Sequence, residues 1–327
     1  MNIVITGGSG FLGRRLAETL LERGTLRGAD GRESRIERIT LVDVVRADGL
    51  TDPRVSQVTG DVADRSLLER ALTPNATSIF HLAAIVSGQA EADFDLGMRV
   101  NFDATRHLLE ICRHHGTCPR VVFTSSVAVY GGDLPATVPD DLAVTPQTSY
   151  GTQKAMAELL INDYTRRGFV DGRSLRLPTI SVRPGRPNAA ASSFASGIIR
   201  EPLNGEISAC PVSADTRVWL LSPRTVVECF IAAHDIDGAR LGSNRLLNLP
   251  GMSITVGDMV ASLARVAGPD VAARVRWEPD ERIARMVATW PGEVAATRAR
   301  ALGFPCDTDF DEIVRRYIAE AGVGVPR

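Results

Sequence analysis

The stretch Asn2–Gly13 reads NIVITGGSGFLG, and it is the strongest indication of fold class in this chain. Its first five residues form an apolar run that is typical of a buried strand, and a glycine-rich turn follows at once. Residues 11–23 then carry leucines at helical spacing, and Gly24 is placed to end that helix. A strand, a glycine turn and a helix in this order are typical of the first unit of a parallel sheet that binds a dinucleotide.

The glycines of this turn have the spacing that a bound pyrophosphate requires. One glycine permits the tight turn, the second lets the phosphates approach the backbone, and the third lets the helix pack closely against the sheet. The free N–H groups at the start of the helix then face the phosphates. The sequence therefore predicts cofactor contacts from Gly7, Gly10, Phe11, Leu12 and Gly13.

Beyond this turn, apolar strands alternate with helices. Strands are predicted at 39–42, 55–59, 78–82, 120–125 and 173–177, and long helices at 91–115 and 149–167. Alternation of this kind predicts an α/β fold with a doubly wound parallel sheet of the Rossmann type, covered by helices on both faces.

The pattern changes after about residue 180. Residues 184–223 contain several prolines and many small polar residues without a clear period, and helices return at 224–236, 255–267, 281–288 and 308–321. We therefore expect a cofactor-binding domain over residues 1–180, with 224–250 returning to it. Residues 181–223 and 251–327 are expected to form a smaller, irregular α+β lobe that binds the substrate.

The composition excludes several classes of protein. The 327 residues are 44% hydrophobic and 23% charged, with a net charge of −2, which is typical of a globular protein and not of a nucleic-acid or membrane-surface binder. No apolar run reaches the length of a membrane span, and the N-terminus has no basic region of the kind that precedes a signal sequence. The five cysteines form no CxxC pair, and the five histidines have no metal-binding spacing. We expect a cytoplasmic protein with a small-molecule substrate, no metal, and no nucleic-acid or membrane partner.

Two acidic residues follow predicted strands near the expected cofactor. Asp43 ends the second long strand, where a carboxylate accepts hydrogen bonds from the adenosine ribose and repels a 2′-phosphate. It lies farther from Gly13 than usual, and the polar insert 27–37 is expected to be a surface loop. NAD is the predicted cofactor, and NADP is the alternative because Arg46 is nearby and could bind a 2′-phosphate. Asp61 follows the third strand and is predicted either to bind the adenine amino group or to cap a turn.

A second group of residues carries proton-transfer chemistry. Tyr150 and Lys154 lie four apart on one predicted helix face, and Ser125 and Ser126 end a strand at the edge where ligands bind. Of the 37 basic side chains, only Lys154 is a lysine, and a compact ammonium acts differently from a guanidinium. A phenol with a pKa near 10 is a weak base, so a neighbouring ammonium is needed to stabilise the phenolate. Ser126, Tyr150 and Lys154 are therefore the predicted catalytic residues, and Tyr150 is the predicted general base.

With these motifs the chain resembles the extended short-chain dehydrogenase/reductase family. The matching stretches are TGGSGFLG at 6–13, HLAA at 81–84, TSSVAVYG at 124–131, YGTQK at 150–154 and LRLPTISVRPG at 175–185, together with Asp43, Asp61 and Asn101. The resemblance implies that Asn101 supports the active site, and that two long helices pair in a homodimer. It also implies cofactor contacts from Val62, Leu82, Ala83, Ala84, Asn101, Ser125, Tyr150, Lys154, Pro178 and Ile180.

Within that family, residues 181–197 resemble those of D-erythronate dehydrogenases. The implied reaction is the NAD-dependent oxidation of the C2 hydroxyl of a short sugar acid to a 2-keto acid. Arg183 would bind the carboxylate in a bidentate pair. The predicted substrate contacts are Ser126, Tyr150, Arg183, Asn188, Ser192, Ser193 and Arg217.

The sequence also bears on three alternatives to that reaction. Arg217 matches the arginine that binds the diphosphate in many nucleoside-diphosphate-sugar 4-epimerases, so an epimerase is an alternative function. The residues that follow Arg217 depart from the pattern of those epimerases. Dehydration is disfavoured because Val127 and Ala128 stand where sugar dehydratases carry an acidic pair. A dinucleotide sensor is disfavoured because such proteins lose the tyrosine or the lysine.

Overall fold

The computed structural model describes residues 1–185 and 190–322. It divides into two compact units. The first unit comprises Met1–Val129, Thr148–Arg176 and Val227–Leu247. The second comprises Tyr130–Gln147, the described part of Leu177–Val226, and the described residues from Asn248 on. None of the helices in these ranges has both the length and the apolar composition needed to cross a bilayer.

The strands are β1 (Asn2–Thr6), β2 (Thr25–Arg27), β3 (Glu33–Arg35), β4 (Arg38–Asp43), β5 (Val55–Thr59), β6 (Ser78–His81), β7 (Arg120–Ser126), β8 (Asp171–Leu177), β9 (Thr179–Ile180), β10 (Ser208–Cys210), β11 (Arg217–Leu221), β12 (Leu246–Asn248), β13 (Met252–Thr255) and β14 (Val275–Trp277). The α-helices are α1 (Phe11–Arg23), α2 (Arg65–Ala71), α3 (Ser87–Ala92), α4 (Phe94–Gly97), α5 (Ala104–His115), α6 (Ser149–Arg166), α7 (Phe194–Leu203), α8 (Pro223–Asp235), α9 (Gly238–Leu241), α10 (Val256–Ala267), α11 (Pro269–Ala272), α12 (Glu281–Val287), α13 (Thr297–Ala301) and α14 (Phe310–Ala321). A π-helical turn (Met98–Asp103) precedes α5, and short 3₁₀ turns cover Val127–Val129 and Ala191–Ser193.

The first unit is built on a seven-stranded sheet in the order β12-β8-β7-β6-β1-β4-β5. Strand β1 pairs in parallel with both β4 and β6, and β7 continues the parallel pairing on β6. The strand order reverses between β1 and β6, which is where ligands bind in sheets of this type. The predicted doubly wound sheet is confirmed.

The predicted helix over 91–115 is wrong as one continuous element. Asp93 has extended backbone angles, and its side chain accepts from the Leu96 N–H at 2.9 Å, so it ends α3 and caps α4. The π-helical turn follows, and α5 begins only at Ala104. A π turn widens the helix locally and is frequent at functional sites. Here it carries Asn101, whose side chain is buried.

Two segments expected to be irregular are regular. The polar insert over 27–37 contains β3, which pairs antiparallel with β2 and forms a hairpin where a loop was expected. Segment 184–223 contains α7, in which nearly every residue from Phe194 to Leu203 is buried. A helix that is buried all round shows no polar stripe, and so its sequence lacks the period that identifies surface helices.

The second unit has its own sheets and its own core. Strand β11 pairs antiparallel with β13 and parallel with β9, and β10 pairs with β14. Apolar side chains of α7, α10 and α14 meet in one cluster. Tyr130–Gln147 belongs to this unit, although the sequence suggested that residues 1–180 form one domain. Its ties are a backbone bridge from Val138 to Val294 and the hydrogen bond from Asn248 Nδ2 to Asp140 Oδ1 at 3.0 Å.

Candidate active site

The glycine turn brings the start of α1 against the end of β1 so closely that no side chain fits between them. A Cβ on Gly13 would lie 2.1 Å from the Gly7 carbonyl oxygen, and one on Gly7 would lie 2.9 Å from the Ala83 nitrogen. Gly7 also has a positive φ of 68°. Gly10, at the N-cap of α1, supplies no side-chain cap. The first N–H groups of the helix are therefore available to an anion, as a pyrophosphate site requires.

Asp43 lies beside this turn at the carboxyl end of β4. Its Oδ2 accepts from the Ser9 N–H at 3.0 Å and its Oδ1 accepts from the Val44 N–H at 2.8 Å. These bonds fix the carboxylate next to the glycine turn, as a ribose-binding acid requires. Asp61 makes the predicted cap, since its Oδ1 accepts from the Ala63 N–H at 2.9 Å, and its Oδ2 lies 3.4 Å from Arg99 Nη2.

A buried hydrogen-bond chain joins β1 to the residues after β6. His81 contacts the Thr6 hydroxyl through Nδ1 at 2.6 Å and the Thr105 hydroxyl through Nε2 at 3.0 Å. Burial and the nearby Lys154 charge lower the pKa of His81 to about 3, so it stays neutral. Thr6 also accepts from the Ala83 N–H at 3.2 Å. These hydrogen bonds hold the segment Leu82–Ala84, which is predicted to line the cofactor, in place.

Asn101 connects that segment to the predicted catalytic helix. Its Oδ1 accepts from the Ile85 N–H at 2.8 Å, and its Nδ2 donates to Gln153 Oε1 at 2.7 Å. Gln153 directly precedes Lys154 on α6. Sequence reasoning missed Gln153, and the pairing joins residues 52 positions apart that no local pattern relates.

Helix α6 brings Tyr150 and Lys154 to the end of β7. Its N-cap is Thr148, whose hydroxyl accepts from the Gly151 N–H. Lys154 is buried, and its Nζ donates to the Thr124 carbonyl at 2.8 Å. The same ammonium lies 4.6 Å from the centre of the Phe123 ring and 5.7 Å from that of Tyr150. Burial lowers the pKa of Lys154 to about 7, and the charge of Glu158 opposes that shift.

The two serines at the end of β7 have different surroundings. Ser126 is half-buried, and its Oγ accepts from the Ala128 N–H at 3.1 Å, which leaves its hydroxyl proton for another acceptor. Ser125 is fully buried, and among the described atoms its Oγ has no hydrogen-bond partner. Lys154 is hydrogen-bonded to Thr124 and lies close to the Tyr150 ring, so Tyr150 lies near the strand end that carries Ser126. The three predicted catalytic residues therefore come together at one edge of the sheet.

A buried ion pair lies one helical turn beyond Lys154, and sequence reasoning missed it. Arg176 on β8 donates to Glu158 through Nε at 2.9 Å and through Nη2 at 2.7 Å. Both side chains are almost completely buried. The spacing of four residues between Lys154 and Glu158 was a signal that could have identified the acid.

The remaining predicted residues divide between the units. Val62 is buried in the first unit, whereas Pro178 and Ile180 lie in the second. The second unit also holds the predicted substrate residues Arg183, Ser192, Ser193 and Arg217, while Asn188 lies outside the described residues. Arg217 is exposed and its Nη1 donates to Ser253 Oγ at 3.4 Å.

Arg183 is held in place by buried side chains of α7. Its N–H donates to Ser196 Oγ at 3.0 Å, and its carbonyl accepts from Arg200 Nη1 at 2.9 Å. Its own Nη2 donates to Ser192 Oγ at 3.2 Å. Across residues 1–185 and 190–322, no group of three or more histidine, cysteine or acidic side chains is arranged to hold a metal ion.

Comparison with known proteins agrees with this arrangement. A model of the NAD dependent epimerase/dehydratase family matches residues 3–235, which is more than half of the chain. The chain belongs to this family. Its cofactor is NAD, and the glycine turn, the uncapped start of α1 and Asp43 fit that cofactor.

Individual relatives match at least 97% of the chain. A D-erythronate dehydrogenase of Cupriavidus necator is 59% identical over 323 residues, which are 99% of each protein. A D-erythronate dehydrogenase of Haemophilus influenzae is 49% identical, over 97% of this chain and 99% of the relative. A solved structure described as a nucleoside-diphosphate-sugar epimerase from Agrobacterium tumefaciens is 44% identical, with a TM-score of 0.93, and covers 100% of this chain and 96% of its own.

Proposed function

We propose that this member of the epimerase/dehydratase family is an NAD-dependent sugar-acid dehydrogenase that oxidises the C2 hydroxyl of D-erythronate, or of a close relative, to a 2-keto acid. The observation that carries the proposal is the 59% identity, over 99% of both chains, with a D-erythronate dehydrogenase. The presence of Ser126, Tyr150 and Lys154 at one sheet edge supports catalysis over cofactor sensing, since a sensor needs no proton acceptor.

In this proposal Tyr150 is the general base. NAD, when bound, supplies the acceptor for the hydride that leaves C2. The Tyr150 phenolate takes the proton of the C2 hydroxyl, and the Ser126 hydroxyl hydrogen-bonds to the same oxygen and orients it. The Lys154 ammonium stabilises the phenolate by its charge. The neutral His81 and the amide of Asn101 hold the surrounding backbone without exchanging protons.

We further propose that Arg183 binds the carboxylate of the substrate. Its backbone is fixed on both sides by Ser196 and Arg200, which are nearly completely buried. A guanidinium on a fixed backbone can offer two parallel N–H groups to a carboxylate without a large loss of entropy. Ser192, Ser193 and Asn188 remain proposed partners for the substrate hydroxyls.

A nucleoside-diphosphate-sugar 4-epimerase is the second candidate. It is favoured by the exposed position of Arg217, which suits contact with a diphosphate, and by the description of the Agrobacterium tumefaciens structure. An epimerase would return the hydride to the sugar, and would therefore produce no net NADH.

The deciding experiment measures NADH formation by purified protein with NAD and a panel of short aldonates and uronates. UDP-glucose and UDP-N-acetylglucosamine are tested beside them with an assay for the epimeric product. We expect NADH with D-erythronate, and a loss of turnover by orders of magnitude in Tyr150→Phe with the fold retained. Conversion of a UDP-sugar without NADH would reject the dehydrogenase. Full turnover by Tyr150→Phe would reject the role of that residue.

The substrate arginines give a matched pair of variants. Arg183→Met should raise KM for the aldonate by about 10- to 100-fold, since a charge-assisted pair is lost, whereas Arg217→Met should leave it unchanged. The opposite result would assign the carboxylate contact to Arg217 instead of Arg183.

A further inference from the structure

Three charged side chains are buried together along one face of the catalytic helix. Lys154 and Glu158 lie one helical turn apart on α6, and Arg176 reaches Glu158 from β8. The exposed fraction is 1% for Lys154, 2% for Glu158 and 5% for Arg176. Such a cluster is costly unless its charges compensate each other, because each ion has lost its water.

The arrangement gives each charge a definite partner. The Glu158 carboxylate accepts from both Nε and Nη2 of Arg176, which is the geometry of a bidentate ion pair and fixes the position of the carboxylate. Lys154 has the Thr124 carbonyl and the Phe123 ring as its contacts, and neither carries a charge. Glu158 is the negative charge spaced to face Lys154 on the same helix.

We propose that the Glu158–Arg176 pair is a positioning element for catalysis: the carboxylate of Glu158 keeps the buried Lys154 in its ammonium form, and Arg176 holds that carboxylate in place. The inference rests on the proposed roles of Tyr150 and Lys154. It assigns to Glu158 and Arg176 no contact with substrate or cofactor. Their effect on turnover passes through the charge of Lys154 alone.

Other charged groups around α6 are engaged elsewhere. His81, on β6, is neutral for the reasons given above and supplies no counter-charge. The following groups on the packed elements each have a partner of their own: Glu91, Arg99, Asp103, Arg106, His107, Glu110, Arg113, His114 and Arg120. Asp95 is exposed, and His115 is the last residue of α5. Glu158 is therefore the group whose removal should change the charge state of Lys154.

The composition of the chain permits a direct test. Because Lys154 is the one lysine in the sequence, untagged protein grown with lysine labelled with carbon-13 at Cε gives a single lysine signal. An NMR titration of that signal reports the pKa of Lys154 without any assignment step. In Glu158→Gln we expect the midpoint to fall by about one pH unit or more, since a negative charge one turn away has been removed.

The pH at which the variant becomes active should shift the other way, to a higher value, while the pKa of Lys154 falls. When Lys154 loses its proton more readily, Tyr150 loses its stabilising charge and ionises only at higher pH. The acid limb of the pH profile of kcat/KM for Glu158→Gln should therefore move to higher pH, and the activity should recover towards the wild-type value at high pH. A merely structural defect would lower the activity by the same factor at every pH.

Asp171→Asn is the matched control. Asp171 is also an acid bound by arginines in the first unit, with contacts to Arg120, Arg173 and Arg245. Its substitution should lower stability without moving the lysine signal. If Glu158→Gln does not fold, the double variant Glu158→Gln/Arg176→Gln replaces both charges by amides that can still hydrogen-bond, and it should show the same shift.

An unchanged Lys154 midpoint in a folded variant that lacks the Glu158 carboxylate would overturn the inference. So would an equal shift in Asp171→Asn. The NMR readout needs no substrate, and it therefore stands apart from the proposed function. If Tyr150→Phe keeps full turnover, the proposed mechanism fails, whereas a fixed lysine midpoint with an inactive Tyr150→Phe rejects the inference alone.

Discussion

The variant Gly13→Ala tests how tightly the cofactor turn is packed. The added Cβ would lie 2.1 Å from the Gly7 carbonyl oxygen and 2.8 Å from the Gly8 Cα, and both are backbone atoms that cannot rotate away. A relaxed carbon–oxygen contact is about 3.3 Å, so the start of α1 and the turn must separate by about 1 Å. Overpacking of this kind costs about 1–3 kcal/mol, and the helix preference of alanine returns about 0.5–1 kcal/mol. The net loss is on the order of 1–2 kcal/mol.

Because the displaced atoms form the pyrophosphate site, we expect the loss in NAD binding as well as in thermal stability. A loss of about 1–2 kcal/mol weakens binding by about 5- to 30-fold, and calorimetric titration with NAD measures it. Gly197→Ala is the control, since its Cβ would meet neighbours no nearer than 3.4 Å inside α7, and it should not weaken NAD binding. Wild-type affinity and melting temperature in Gly13→Ala would refute the packing argument.

The choice of cofactor, the stability in acid and the state of assembly can each be tested by substitution. Asp43→Asn keeps an acceptor for the Ser9 N–H but removes the charge that repels a 2′-phosphate, so the kcat/KM ratio of NADP to NAD should rise by about tenfold or more; an unchanged ratio would contradict the role of Asp43. The folded pKa of His81, about 3, lies below its unfolded value of 6.5, so the unfolded chain binds the extra proton and stability falls as the pH drops from about 6.5 towards about 3. Urea unfolding at several pH values should show that the free energy of unfolding falls by at most about 1.4 kcal/mol per pH unit, and by less in His81→Gln. The same pH dependence in wild type and variant would show that His81 is not its cause. We propose a homodimer through α5 and α6, where Leu159 is 68% exposed; Leu159→Glu should sediment as a monomer, Ile207→Glu should not, and a monomeric wild-type protein at micromolar concentration would reject the proposal.

Much of the first unit could be predicted because its signals are local. The predicted strands of the central sheet and the bounds of α1 and α6 agree with the structure to within a few residues. The misplaced elements have physical causes. Asp93 breaks the predicted helix by capping its own α4, and α7 has no polar face because it is buried all round.

The amino-acid sequence was sufficient to predict the class of the sheet, the position of the glycine turn and the placement of Tyr150 and Lys154 on one helix face. The glycine turn and the helix face depend on residues within about one or two turns of each other, where backbone geometry alone sets their relation. The class of the sheet follows from the order of such local elements along the chain. The distant groups that complete the site became identifiable from the folded arrangement. The bonds from Asn101 to Gln153 and from Arg176 to Glu158 join residues 52 and 18 positions apart. Such pairings arise because packing forces buried polar groups to find partners wherever the fold places them, and no local pattern encodes that choice.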